Sequence, residues 1–172
     1  MRASLRRRGP IVRRSGLIAV LALAAAIVPA AGTGAQGAGA PAAIQVPIDV
    51  LSGPNGQKLL IAPVTINGKQ YPFVLDTGAS GSAISLGLAT ALHLPKAGRA
   101  HRAVSAGCTP KSQPITISTW SLGTASLPAH RLDATKLGLH AVGAVGLLGS
   151  DVLSTFDKVS IDYAHKVLTL RG

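Results

Sequence analysis

From Ile44 onward, apolar residues come in short runs, most of them alternating with polar ones, and Gly, Pro or Asn closes each run. That rhythm predicts an all-β domain. Ile44–Leu51 alternates and stops at Ser52-Gly53-Pro54-Asn55-Gly56, a cluster of turn formers. Lys58–Ile66 is a second strand, and the Asn67-Gly68 that follows is the favoured two-residue hairpin turn. Tyr71–Leu75 returns as a third strand and runs straight into Asp76. Further strands are predicted at Ala100–Ala106, Ile115–Ser121, Ala125–Leu132, Val142–Val145, Lys158–Tyr163 and Lys166–Leu170. Strands at this spacing fit a small barrel or sandwich rather than a βαβ architecture.

Two short helices interrupt the pattern. Ser85 is placed to cap Leu86–His93, with Leu88 and Leu92 on one face. Ser150 is placed to cap a turn beginning at Asp151, whose charge suits a helix N-terminus; Val152, Leu153 and Phe156 form its inward stripe. Trp120 reads as a core residue or the base of a flap.

The first thirty residues follow a different rule. Arg2, Arg6, Arg7, Arg8, Arg13 and Arg14 precede the apolar run 16–28, and small residues follow at Pro29-Ala30-Ala31-Gly32. This order is that of a secretory signal peptide. The run spans about 20 Å as a helix against a hydrocarbon core of roughly 30 Å. Counting the small residues lengthens it, so residues 1–30 read either as a cleaved signal or as a membrane anchor. On both readings the arginines stay in the cytoplasm and the remainder is exported, to the periplasm or outside the cell. The only expected membrane association is through an uncleaved anchor. Residues 31–43 are a Gly/Ala-rich linker, and residues 44–172 form the folded domain.

Charge then changes little. The net charge is +11, but six of the seventeen Lys/Arg belong to the leader, which leaves eleven scattered among six Asp. With no basic run and 3% aromatic residues, nucleic-acid binding is not expected. Cys108 is the only cysteine, which rules out an intrachain disulfide. His93, His101, His130, His140 and His165 show neither paired spacing nor a neighbouring Cys/Asp cluster, so neither a metal site nor a cofactor is expected.

Carboxylate chemistry must come from a short list. There is no Glu, and the acids are Asp49, Asp76, Asp133, Asp151, Asp157 and Asp162. Asp151 has a sufficient structural role at a helix start, and Asp162 falls in a surface strand or turn. Asp76 is different: it stands at the end of an apolar strand, in Phe73-Val74-Leu75-Asp76-Thr77-Gly78-Ala79. Val74 and Leu75 are expected in the core. Gly78 allows a sharp turn and a close backbone approach, and Thr77 offers a hydroxyl across such a contact. Water-driven amide hydrolysis needs both a base and an acid. Two carboxylates at short range supply both, because they cannot both ionise. Asp-Thr-Gly occurs once in the chain, so the second carboxylate has to come from a two-fold partner.

Val145-Gly146-Leu147-Leu148-Gly149-Ser150-Asp151-Val152-Leu153 strengthens the case. With it the chain, from about Ile44 to Leu170, resembles the retropepsin-like aspartic peptidases, a single-lobed family of retroviral proteases and exported bacterial relatives. Phe73–Ala79 is similar to the family's active-site loop, and Leu147-Leu148-Gly149 to the apolar-apolar-Gly element ahead of its helix. Ile161-Asp162-Tyr163 and Lys166–Leu170 look like the closing strands of bacterial members. The resemblance implies a small closed barrel with one or two short helices, acting as a homodimeric endopeptidase on peptide or protein substrates. Asp76 would be catalytic, Thr77 would lock the paired loops, and Gly78 would permit their approach. Ala79 and Ser80 would meet substrate, as would Ala106 and Gly107 in a flap over Val104–Pro110. Thr109-Pro110-Lys111 reads equally well as an ordinary surface turn. Ser80-Gly81-Ser82 departs from the acidic residues that hold the substrate backbone in retroviral members. A catalytically inactive binding or envelope module of the same fold is the alternative, and a β domain with a chance Asp-Thr-Gly a further one.

Overall fold

A computed structural model of the chain describes residues 42–102 and 111–172. The predicted signal or anchor and the flap positions Ala106 and Gly107 lie outside them.

The chain opens with β1 (Ile44–Pro47), β2 (Asp49–Ser52), β3 (Lys58–Ile66) and β4 (Lys69–Leu75). The single strand expected over Ile44–Leu51 is two strands, because the chain changes sheets at Ile48. This buried residue donates its N–H to the Lys166 carbonyl at 3.0 Å. The β3–β4 turn is as expected: Asn67 and Gly68 have φ of 49° and 81°, the left-handed pair that a tight hairpin requires. Pro63 and Pro72 face each other across this hairpin. Neither can donate, which suits a pair whose N–H groups point away from each other.

Next come β5 (Ala83–Ser85) and α1 (Leu86–Ala91). Ser85 caps the helix by accepting the Leu88 N–H at 3.2 Å. The helix stops short of the expected His93, which takes a left-handed conformation at φ 53°. Leu88 and Leu92 pack against the core as predicted.

The remaining strands are β6 (His101–Arg102), β7 (Lys111–Ile117), β8 (Trp120–Leu122), β9 (Ala125–Ser126), β10 (His130–Thr135), β11 (Gly146–Leu148), β12 (Lys158–Asp162) and β13 (Val167–Arg171), with α2 (Ser150–Leu153) after β11. The strands expected over Ile115–Ser121 and Ala125–Leu132 are each broken. The strand expected over Val142–Val145 is replaced by a 3-10 turn at Leu139–Val142 and by β11. Gly138 and Gly143 bracket that turn with φ of 66° and 70°, and such left-handed ends exclude a strand.

These strands form a three-stranded sheet, β1-β13-β12, and a ten-stranded one, β6-β7-β10-β5-β11-β4-β3-β8-β9 with β2 on β3. The expected closed barrel is therefore corrected. Among the described residues no pairing joins β6 to β9, and both are two-residue edge strands with little ladder to offer. The core combines Phe73, Ile66, Ile84, Leu132 and Leu148 with Leu168 and Leu170, all under 2% exposed. Burying each such side chain contributes roughly 1.5–3 kcal/mol. Phe73 lies on its parallel partner Gly146 so closely that a Cβ there would overlap the ring. Glycine at 146 thus fixes the depth at which β4 sits beside β11.

Candidate active site

β4 carries the apolar residues that bring Asp76 to the surface. Phe73 is in the main core, Val74 in a smaller cluster with Ile61 and Ala144, and Leu75 is half-buried. β11 pairs with β4 in parallel, setting Leu147 beside Val74 and Leu148 beside Leu75. The ladder gains one more bond at Asp76, whose N–H reaches the Leu148 carbonyl at 3.0 Å. The backbone then turns on its own carboxylate. Gly78 N–H donates to Asp76 Oδ1 at 2.9 Å, and Ala79 N–H to the Asp76 carbonyl at 3.1 Å. Asp76 Oδ2 has no protein partner among the described residues. Asp76 is half-buried, and Thr77, Gly78 and Ser80 are exposed.

Gly78 is not crowded within its own chain. A Cβ there would meet only Asp76 Oδ1, at 3.3 Å. The crowded glycine is Gly149, where a Cβ would sit 2.7–2.9 Å from backbone atoms of Gly81 and Ala79. Backbone cannot swing aside, so the loop and the start of α2 touch only because residue 149 has no side chain.

Polar bonds fasten this contact. Ser150 gives both its N–H and its hydroxyl to the Ala79 carbonyl, at 2.8 and 3.0 Å. It therefore does not cap α2 as expected; the cap is Gly149, without a side-chain bond. Buried Ser82 donates its N–H to Asp151 Oδ2 at 2.9 Å and its hydroxyl to Oδ1 at 2.7 Å. The same hydroxyl accepts the Gly149 N–H at 2.8 Å. His130 on β10 reaches Asp151 Oδ2 through Nε2 at 2.8 Å, and a carboxylate partner requires that nitrogen to carry the proton. Asp151 also accepts the Val152 N–H at the start of α2. Burial works to raise the pKa of Asp151, but the Ser82 hydroxyl, the Ser82 N–H and His130 outweigh it. Together they hold the carboxyl below its ordinary value.

The sequence points to Asp76, Thr77, Gly78, Ala79 and Ser80, and the fold gathers these on one loop. Sequence reasoning misses Ser82, His130 and the long-range role of Asp151 within the chain. The expected flap positions lie outside the described residues; the strands flanking residues 103–110 pair antiparallel, Arg102 with Lys111. Trp120 is a core residue whose indole N–H donates to the Pro128 carbonyl at 2.8 Å. A groove of about 360 Å³ between Pro47, Asp49, Pro63 and Tyr71 contains none of the Asp76 loop.

The family model for aspartyl proteases matches residues 62–152, just over half of the chain and all of the site. The crystal structure of a retropepsin-like aspartic protease from Rickettsia conorii matches with a TM-score of 0.52 and 22% identity. The match covers 75% of this chain and 89% of that one, and at that identity it establishes a shared fold. No curated protein matches the sequence.

Proposed function

Given that the chain belongs to the aspartyl protease family, we propose that it is an endopeptidase whose active site forms between the Asp76 carboxylates of two copies. The observation that carries this reading is the placement of Asp76. It stands at the end of a core strand, in a loop braced from behind by Gly149 and Ser150 and uncovered in front at Thr77 and Gly78. One such carboxylate lacks the acid that amide hydrolysis needs; a symmetry-related second one supplies it.

In the paired site, one proton is shared between the two carboxylates, since both cannot ionise at close range. The ionised one takes a proton from water as its oxygen attacks the peptide carbonyl. The protonated one gives its proton to the carbonyl oxygen; the first carboxyl then passes the water's proton to the nitrogen while the second takes one back from a hydroxyl, and collapse of the tetrahedral intermediate expels the amine. The two copies titrate as a unit. Thr77, exposed beside Asp76, offers its hydroxyl to the facing loop, and the open space outside Gly78 leaves room for it. We assign Ala79 and Ser80, next along the loop, to substrate contact. The basic start and apolar run of residues 1–30 support a reaction outside the cytoplasm.

The test is cleavage of a peptide library from about pH 3 to pH 7 by the purified chain beside Asp76→Asn. Cleavage that survives the substitution removes Asp76 from the mechanism. A folded wild-type dimer that cleaves nothing supports the inactive binding module instead. Asp76-dependent cleavage by a monomer refutes the shared site.

A further inference from the structure

We propose that His130 is a positioning residue for Asp76, acting through Asp151, Ser82 and the peptide unit that joins Leu148 to Gly149. The proposal rests on the reading that Asp76 is the catalytic carboxylate.

Burial does little to fix the loop, since Thr77, Gly78, Ser80 and Gly81 are exposed. Its middle is held by the Ser150 bonds to the Ala79 carbonyl, and its two ends both meet one peptide unit. The carbonyl of that unit, from Leu148, accepts the Asp76 N–H at 3.0 Å. Its N–H, from Gly149, donates to the Ser82 hydroxyl at 2.8 Å. The orientation of Ser82 therefore bears on the orientation of Asp76.

Ser82 is in turn set by Asp151. The hydroxyl has one proton, which goes to Oδ1, so its lone pairs face Gly149. This arrangement requires the carboxylate plane to stay put. Val152 N–H and the Ser82 hydroxyl hold Oδ1, while the Ser82 N–H and His130 hold Oδ2. His130 alone comes from outside the loop and α2. It has an anchor of its own. Its ring stacks on buried Trp120 with centroids 6.2 Å apart and planes at 28°, and Trp120 is pinned by its own bond to Pro128. His130 thus transmits the rigid frame of β8 and β10 to the loop, without touching substrate.

His130→Phe keeps a ring against Trp120 and removes the donor, whereas His130→Gln keeps a donor and gives up the ring. Both are made in the full chain. Cleavage is normalised to active sites titrated with a peptide carrying a tetrahedral hydroxyl in place of the scissile carbonyl. The expected result is a roughly tenfold fall in kcat for His130→Phe at little-changed KM, with most of the loss recovered in His130→Gln. Hydrogen exchange at the Ser82 and Gly149 amides should quicken by about tenfold in His130→Phe while the β3–β4 hairpin amides hold their rates. Unchanged kcat and unchanged loop exchange in His130→Phe overturn the proposal, as does a kcat loss that His130→Gln does not recover. Should His130→Phe fail to fold, Asp151→Asn replaces it, with the same kcat and exchange losses expected and the same overturning result. A wild-type chain without Asp76-dependent cleavage sinks the catalytic reading of Asp76. The exchange measurement then still decides whether His130 holds the loop.

Discussion

Ser82 donates both its N–H and its hydroxyl to Asp151, a residue 69 positions later in the chain. These two hydrogen bonds to one carboxylate tie the far end of the Asp76 loop to α2. Ser82 is 4% exposed, so loss of the carboxylate leaves buried donors without their protein partner. Asp151→Ala should therefore destabilise the domain by about 2–3 kcal/mol, with Asp151→Asn costing roughly half as much because its amide still accepts one bond. Urea denaturation monitored by Trp120 fluorescence measures both.

The same carboxylate predicts a pH effect whose sign can be worked out. Its pKa in the folded chain lies below its ordinary 3.8. Its contribution is thus fully present above that value and is lost as pH falls through the folded pKa. Melting temperature should drop across this acid window in the wild type. In Asp151→Asn the drop should be shallower over the same range, although the variant is less stable at neutral pH. Equal slopes in the two proteins would show that Asp151 is not responsible. Asp162, held low first by the His165 N–H and then by the His165 ring, is fully exposed and contributes too little to confuse the comparison.

Glycine substitutions should separate space from conformation. Gly149→Ala puts a Cβ against backbone that cannot move independently, and we expect a loss of about 2 kcal/mol together with a larger loss of activity. Gly87→Ala lies in α1 with nothing within 4 Å of the new methyl, and should stabilise by about 0.5–1 kcal/mol at unchanged activity. Thermal unfolding and cleavage assays on the pair check this contrast.

A shared site predicts how mixtures behave. When wild type and Asp76→Asn are unfolded together and refolded at equal amounts, only about a quarter of the dimers carry two intact carboxylates. Cleavage should follow the square of the wild-type fraction. A linear dependence would assign one complete site to each chain.

Local chemistry was readable from the residues, and long-range pairing was not. The Lys58–Ile66 strand, its Asn67-Gly68 turn and the Ser85 cap are encoded within a few positions, and all three form as expected. The run of Phe73–Leu75 into Asp76 is equally local. The division at Ile48 depends on which sheet each neighbour joins, which alternation cannot reveal because both sheets bury the same kind of face. Leu139–Val142 is apolar enough for a strand, and only the backbone angles of its flanking glycines decide otherwise. Ser82, His130 and Asp151 have no mutual spacing to read. Their signal was a lone carboxylate in a chain poor in acids, with no neighbour close enough in sequence to balance it.

The peptide unit between Leu148 and Gly149 makes a ring of residues 76–82, since both ends of that segment close on a single rigid plane. Tilting that plane disturbs the Asp76 bond and the Ser82 bond at once, so whatever loosens one end of the segment loosens the other, and the Ser150 bonds to Ala79 resist both.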